Sequence, residues 1–454
     1  MLSKYYKIDK TKLLFTNKQM WMLLIPVMLE QFLNSFMGVA DTMMVSRVGS
    51  AAISAVSLVD AINVLIIQIF AAMAAGATII CAQYIGRGQI KDANRVAYQV
   101  TLTVSVISVF LTIIGIMLCN PILTFIFGTV EKDVMDASVI YFIVSVISYP
   151  FIALFNAGAA FYRAGGESRF PMIISVISNV MNIVGNAVFI FVLNMGVFGA
   201  ALATLISRIF CMVVIFVYLR KPKQPIVQNN YLAIRPEWAL IAMVLSVGIP
   251  SGIENGMFQF GKLAIQSSVS TLGTVAIAAN AMTIILENIN GIAGMAMGIG
   301  LMTIVGQCIG AGEKNQAKYY IVKVTGYAEI VVLTSCLILI VLTKPITRIA
   351  GMDTIAASMV FDMMLYITIT KPFVWVLSFV PSYGMRAAGD VKFSMIVSSL
   401  TMWLARVAIC IFLIRVMHVG PIAVWIAMSC DWTLRAIIFT GRFFSNKWLD
   451  KKVI

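Results

Sequence analysis

The chain has 454 residues, of which 61% are hydrophobic and only 11% are charged, and its mean hydropathy is +0.96. Soluble globular proteins have about 25% charged residues and about 45–50% apolar residues. This composition therefore excludes a soluble enzyme, a nucleic-acid-binding protein and a secreted disulfide scaffold. The net charge of +14 comes from basic residues in short gaps between apolar runs, so it indicates membrane topology rather than a basic binding surface.

Twelve apolar runs are long enough to cross a bilayer, which takes about 20 residues. In chain order they lie at about 20–45, 53–80, 96–119, 138–161, 171–193, 197–219, 238–269, 275–305, 321–343, 356–383, 393–415 and 420–441. The sequence therefore predicts an all-α integral membrane protein with twelve transmembrane helices, named spans 1–12 below.

The positions of Lys and Arg predict the orientation. With a cytoplasmic N-terminus, the inner segments hold 23 of the 33 basic residues and the outer loops hold five. Because cytoplasmic loops are enriched in basic residues, we expect both termini in the cytoplasm and a multi-pass protein of the inner or plasma membrane. We expect a monomer whose partners are the lipid bilayer and small organic molecules, with no nucleic acid bound.

The two halves of the chain resemble each other at a nearly constant offset. Pro26-Val-Met-Leu-Glu30 aligns with Pro250-Ser-Gly-Ile-Glu254, and at the same offset Gln83-Tyr-Ile-Gly-Arg-Gly88 aligns with Gln307-Cys-Ile-Gly-Ala-Gly312. Further on the offset shortens by one position, where Arg163-Ala-Gly-Gly meets Arg386-Ala-Ala-Gly. Each half has six spans, an even number, so both halves insert in the same direction as a parallel repeat.

The repeat predicts two six-helix lobes. The N-lobe is expected at 1–219, a cytoplasmic linker rich in proline and basic residues at 220–237, and the C-lobe at 238–454. Two such lobes with a cleft between them are typical of secondary transporters.

Span 1 carries a polar face in an apolar helix. Glu30, Asn34, Met37 and Asp41 follow at i, i+4, i+7 and i+11, which places them on one side of the helix. Ionisable groups within spans are costly and are functional candidates by default. This face is expected to line a wet cavity, and a structural polar seam between helices is the alternative.

Spans 5 and 6 carry a second polar group. Asn179, Asn182 and Asn186 share one face of span 5, and span 6 adds Thr204 with Arg208 one turn further. Carboxylate, amide and hydroxyl oxygens are the ligands that a hard cation such as Na⁺ prefers. A buried carboxylate carrying H⁺ is the alternative, and Asn and Thr also form hydrogen bonds between helices.

The C-lobe has its own polar stripe. Span 7 carries Glu254, Gln259 and Lys262, and span 8 carries Glu287. Lys262 is a candidate ion-pair partner for either glutamate, so this group fits a structural ion pair or a substrate site. In span 12, Asp431 and Arg435 at i, i+4 are interpreted as an intrahelical pair. Three acids have no evident role in the sequence: Asp60, Glu329 and Asp362.

At these residues the chain resembles the multidrug and toxic compound extrusion (MATE) family. The resemblance covers nearly the whole length and depends most on Val39-Ala-Asp-Thr-Met-Met-Val-Ser-Arg-Val-Gly49 and Gln83-Tyr-Ile-Gly-Arg-Gly88. The turns at Arg163-Ala-Gly-Gly and Arg386-Ala-Ala-Gly-Asp add to it.

The resemblance implies a secondary active multidrug exporter. Drug-like, often cationic, compounds would leave in exchange for Na⁺ or H⁺ by alternating access, with no other cofactor. It also implies a cation site at Asp41, Asn182, Asn186 and Thr204, where Na⁺ would bind. The substrate cleft is expected at Glu30, Asn34, Glu254, Gln259 and Glu287.

Two positions depart from branches of the family. One branch has Asp where Asn186 stands, and another has Asp in span 10 where Trp375 stands. The coupling ion therefore stays open between Na⁺ and H⁺. The alternative function is a flippase for lipid-linked oligosaccharides or precursors, which shares the twelve-span plan and would need a more cationic cleft.

Overall fold

A computed structural model describes residues 12–128, 131–222, 224–229, 235–451 and 453–454. These residues are almost all helical and include no strand. Within these described ranges, eleven helices are long and apolar enough to cross a membrane, and two further helices bent by 40° at their junction count together as a twelfth span. The predicted all-α membrane fold is confirmed.

The observed bounds extend several spans beyond the predicted apolar runs. Spans 1–6 are Asn17–Val45, Ser50–Gly86, Ile90–Met117, the bent pair Lys132–Ile147 and Tyr149–Ala164, Arg169–Val192, and Gly196–Tyr218. Spans 7–12 are Trp238–Leu272, Thr274–Gly310, Lys314–Ile349, Thr354–Ala387, Val391–Arg415 and Ile422–Phe444. Two short helices, Cys119–Phe127 and Lys447–Asp450, follow spans 3 and 12.

Equivalent turns of the two halves have the same backbone conformation. Gly88 follows span 2 with φ +76°, and Gly312 follows span 8 with φ +79°. This left-handed conformation is open to glycine at little cost. The repeat seen in the sequence is thus also present in the turns that start spans 3 and 9.

The described chain forms two compact units. The N-unit is Ile25–Gly252, and the C-unit combines the residues up to Leu24 with Ile253–Ile454. The division therefore crosses spans 1 and 7 close to Pro26 and Pro250, which lie inside those helices. The boundary between the two lobes that the sequence predicts lies elsewhere, in the linker at 220–237.

The described part of the linker packs on span 3 within the N-unit. Gln228 is fully buried and exchanges hydrogen bonds with the hydroxyl of Thr101. The backbone N–H of Val227 donates to Oδ1 of Asn94 at 2.6 Å. Lys223 and residues 230–234 of the predicted linker lie outside the described residues.

Spans 5 and 11 each contain a π-helical segment. In span 5 the segment is Ala187–Val192, directly after Asn186, and in span 11 it is Met402–Val407, which includes Arg406. Single π-helical turns are rare and occur frequently at functional sites. In both halves the irregular turn therefore lies at a polar residue of the fifth helix.

Candidate functional site

The N-unit brings the four predicted cation ligands together. Nδ2 of Asn186 donates to Oδ1 of Asp41 at 2.7 Å and to Oδ1 of Asn182 at 3.0 Å. Nδ2 of Asn182 in turn donates to Oγ1 of Thr204 at 3.0 Å. One connected set of polar groups thus joins spans 1, 5 and 6.

The helical register explains this cluster. Asn182 and Asn186 are one turn apart on span 5, so their side chains lie over one another on the face that packs against spans 1 and 6. Both are buried, at 6% and 1% exposure. The hydroxyl of Thr204 donates to the carbonyl of Ala200, which keeps its oxygen available as an acceptor.

One acceptor in this cluster is unused. Oδ1 of Asn186 is buried and has no hydrogen-bond partner among the described residues. Both hydrogens of its Nδ2 are already donated, to Asp41 and Asn182. A buried polar atom without a partner costs free energy and calls for an explanation such as an ion or a water molecule. Beside a carboxylate, an amide and a hydroxyl, a bound cation is a suitable partner for it.

A second network borders the cluster and was not predicted from the sequence. Oδ1 of Asp60 accepts from Nδ2 of Asn63 at 3.1 Å and from the hydroxyl of Tyr141 at 3.3 Å. The hydroxyl of Tyr149 donates to Oδ1 of Asn63 at 2.8 Å. Asp60 lies close enough to Asp41 for their charges to interact, so the N-unit brings an acid of span 1 and an acid of span 2 together. The only signal in the sequence was the spacing of Asp60 and Asn63, which puts them on one face.

The other candidate residue of span 1, Asn34, is exposed and accepts a hydrogen bond from Asn179 at 3.3 Å. Gln259 of span 7 is half-buried. Their assignment to a substrate cleft stays a prediction.

Glu30 and Glu254 form equivalent ion pairs in the two units. Nη2 of Arg163 lies 2.8 Å from both carboxylate oxygens of Glu30, and Nη2 of Arg386 lies 2.6 Å from Oε1 of Glu254. Both glutamates are buried, at 3% and 5% exposure. The partner of Glu254 is thus Arg386 rather than Lys262. Each carboxylate is thus paired with a guanidinium group, and the assignment of Glu30 and Glu254 to a substrate cleft stays a prediction.

The C-unit contains further buried ion pairs. Nζ of Lys371 lies 2.6 Å from Oε1 of Glu287, so Lys262 is not the ion-pair partner of Glu287 either. The intrahelical pair of Asp431 and Arg435 is confirmed at 2.7 Å. Asp431 also lies 2.6 Å from Arg406 of span 11, a contact that the sequence did not predict.

The comparisons with known proteins agree with the duplicated architecture. The family model MatE matches residues 26–188 and again residues 250–412. The two matches begin at Pro26 and Pro250, which are the two prolines that the internal repeat aligns.

Two curated relatives match nearly the whole chain. The "Probable multidrug resistance protein NorM" of Thermotoga maritima is 25% identical over 443 residues, which is 96% of this chain and 94% of that protein. The "Uncharacterized transporter YisQ" of Bacillus subtilis is 26% identical over 450 residues, or 98% and 96% of the two chains.

A solved structure has the same fold. It is a MOP superfamily transporter from Pyrococcus furiosus, described as having a binding pocket of reverse polarity that suggests a different function. Its TM-score is 0.87 at 20% identity, over 96% of this chain and 97% of that chain. From the family matches in both halves, the twelve spans and this shared fold, the chain belongs to the MatE family of multi-pass membrane transporters, the multidrug and toxic compound extrusion family, and is not an enzyme.

Proposed function

We propose that this protein exports drug-like organic compounds, often cationic, across the cell membrane in exchange for entering Na⁺. The exchange would proceed by alternating access, with both termini in the cytoplasm as the basic residues indicate. The Na⁺ ion would bind at Asp41, Asn182, Asn186 and Thr204.

The observation that carries this proposal is the free acceptor in the N-unit cluster. Within the described chain, Oδ1 of Asn186 is buried without a partner, in a side chain that already donates to Asp41. A proton on Asp41 would neutralise the carboxylate but would leave an all-oxygen ligand set unused. Na⁺ would satisfy the carboxylate and the amide oxygen together, because hard cations prefer oxygen ligands.

Entry of Na⁺ can drive export of the substrate if the binding of one changes the affinity for the other. Entry of Na⁺ at Asp41 must weaken substrate binding, and by reciprocity the substrate must weaken Na⁺ binding by the same factor. The flippase alternative has less support, because the matching family model is MatE and the Thermotoga maritima relative is named a multidrug resistance protein.

The test is ethidium uptake into inverted membrane vesicles that contain the protein. Vesicles loaded with Na⁺ and diluted into choline buffer at constant pH should accumulate ethidium, whereas acid-loaded vesicles without Na⁺ should accumulate much less. Uptake driven only by the pH gradient would replace Na⁺ by H⁺ in the proposal. If the well-folded protein took up no ethidium under either gradient, the proposal would be contradicted.

A further inference from the structure

The C-unit contains a cluster of basic residues that the proposed cation exchange does not use. Its basic residues come from spans 7, 10, 11 and 12 and lie around two carboxylates, one in span 8 and one in span 12. We call it the basic cluster, and it consists of Lys262, Lys371, Arg406 and Arg435 with Glu287 and Asp431.

The basic cluster has more positive than negative charge. Four cations face two carboxylates, so two positive charges are in excess. The charge of Glu254 also acts on Arg435, but Glu254 is already paired with Arg386. Charges inside a membrane protein are normally paired or face a water-filled cavity. The excess therefore indicates a place for an anion that the chain itself does not supply.

Two of the cations have a charge or a hydrogen-bond donor that no described residue pairs with. Arg406 is 2% exposed, and its Nε has no hydrogen-bond partner among the described residues. Lys262 forms no ion pair within the described chain. Lys262 lies one helical turn after Phe258, whose ring contacts the guanidinium group of Arg406 at 5.0 Å. Glu287 is already bonded to Lys371.

The other two cations are fully engaged. Arg435 donates to Thr401, to Asp431 and to the carbonyl of Ser398, and Lys371 donates to both the side chain and the carbonyl of Glu287. They complete the structure, whereas Lys262 forms no ion pair in the described chain and Arg406, although paired with Asp431, keeps an Nε without a partner there.

Span 7 provides access to the cluster. Lys262 and Gln266, one turn apart on this helix, are both exposed, and Gln259 on the same side is half-buried. Such a stripe is not stable against hydrocarbon and indicates contact with water. On the same helix, Phe258 lies under the guanidinium groups of Arg406 and Arg435, at 5.0 and 4.7 Å. An aromatic wall beside a lysine suits an organic ion better than a bare inorganic one.

We infer that the basic cluster binds an organic anion, whose carboxylate or phosphate group lies against Lys262 in the field of Arg406. This inference extends the proposed exporter to substrates with a negative group. Binding can be measured without an ion gradient, so it can fail while cation exchange holds, and the reverse is also true.

The test uses two xanthene dyes of similar size and opposite charge, 5-carboxyfluorescein and rhodamine 123. Each is titrated with the purified protein in detergent, in choline chloride without Na⁺, and fluorescence anisotropy reports binding. The anionic dye should bind, and Lys262→Gln should weaken its binding at least fivefold while leaving rhodamine 123 binding equal or tighter. Benzoate and phenyl phosphate as competitors identify which anionic group the site prefers.

Lys314→Gln is the matched control, because it removes the same charge from an exposed position at the start of span 9 in the same unit. It should leave the binding of both dyes unchanged. Thermal unfolding of each variant shows whether the fold is intact. We expect an intact fold in Lys262→Gln, because Lys262 is exposed. Equal binding of carboxyfluorescein by the wild type and Lys262→Gln, or no binding by the wild type, would overturn the inference and leave the basic cluster with a structural role only.

Discussion

The fifth and sixth helices of the two halves carry opposite chemistry. In the N-unit, span 5 presents neutral amides to the carboxylate of Asp41. In the C-unit, spans 11 and 12 present two guanidinium groups to the carboxylate of Asp431. Arg406 lies in the fifth helix of the C-unit, as Asn182 lies in the fifth helix of the N-unit. The proposed cation site is thus the arrangement with one carboxylate and neutral amides, whereas the second arrangement has two guanidinium groups for one carboxylate.

Other parts of the repeat stayed alike. Glu30 with Arg163 and Glu254 with Arg386 join the first helix of each half to the turn after its fourth helix. The contrast teaches that the duplicated halves share the contacts that hold their helices together, while their membrane-buried polar sites diverged.

The largest effect is expected from Asp41→Asn. The variant keeps the shape of the side chain but removes the negative charge that Na⁺ requires, so Na⁺-driven ethidium uptake should fall to the level of vesicles without the protein. Asp136→Asn, an exposed position in the same unit, should retain wild-type uptake. Normal uptake by Asp41→Asn would exclude the N-unit cluster from coupling.

Asp431→Asn should affect stability instead of coupling. The carboxylate is fully buried between Arg406 and Arg435, and removing one partner of a buried ion pair costs about 3–5 kcal/mol. Thermal unfolding in detergent should show a much lower Tm, or no folded protein at all. Asp431→Asn combined with Arg406→Gln should recover part of the loss, because one unpaired cation is removed.

The N-unit provides the contrast to that result. Asp41 accepts from a neutral amide, so Asp41→Asn should change Tm far less than Asp431→Asn does. Similar losses of Tm in the two variants would contradict the distinction between an ion site and a structural cluster.

A smaller effect, equal in the two halves, is expected from Glu30→Gln and Glu254→Gln. Each variant leaves a partly buried arginine, with side chains 14% and 13% exposed, short of its charged acceptor. The expected cost is about 1–3 kcal/mol of stability for each variant. Uptake of cationic and neutral dyes should change in parallel. A selective loss of cationic dyes in Glu254→Gln would instead assign this acid to the substrate cleft.

The sequence predicted the fold well because the bilayer imposes length and composition on each span. Its apolar runs located all twelve spans, and the alignment of Pro26 with Pro250 revealed the repeat that the MatE matches also show. The bend in span 4, where Ser148 separates two helices, left no comparable mark in the hydropathy.

The ion-pair partners were harder to predict, because they are distant in the chain. Arg386 lies 132 residues from Glu254. The sequence instead indicated Lys262 as the partner, because it is nearer and lies on the same helix as Glu254. The repeat contained the information needed to predict these partners, since Arg163 and Arg386 recur at nearly the same offset as Glu30 and Glu254. Within the N-unit, the face shared by Asn182 and Asn186 sufficed to bring them to one cluster, because helical spacing fixes which side chains adjoin.

Asn186→Asp is expected to have the smallest effect, and it tests the ion ligands most directly. Nδ2 of Asn186 now donates to Asp41, and the substitution would replace that donor by a second acid. Two carboxylates this close do not readily ionise together and tend to share one proton. Na⁺ and H⁺ should therefore compete at the variant site in a way that they do not in the wild type.

The measurement is the Na⁺ concentration that gives half-maximal ethidium uptake, determined at pH 6 and at pH 8. In Asn186→Asp this concentration should fall several-fold at pH 8, where both carboxylates can attract Na⁺, and rise at pH 6, where the shared proton opposes it. In the wild type it should vary less between the two pH values. Asp362→Asn, at an exposed position in the C-unit, should behave as the wild type does. If Asn186→Asp and the wild type gave the same pH profile, Oδ1 of Asn186 would not be an ion ligand, and its unpaired state would need a bound water as its explanation.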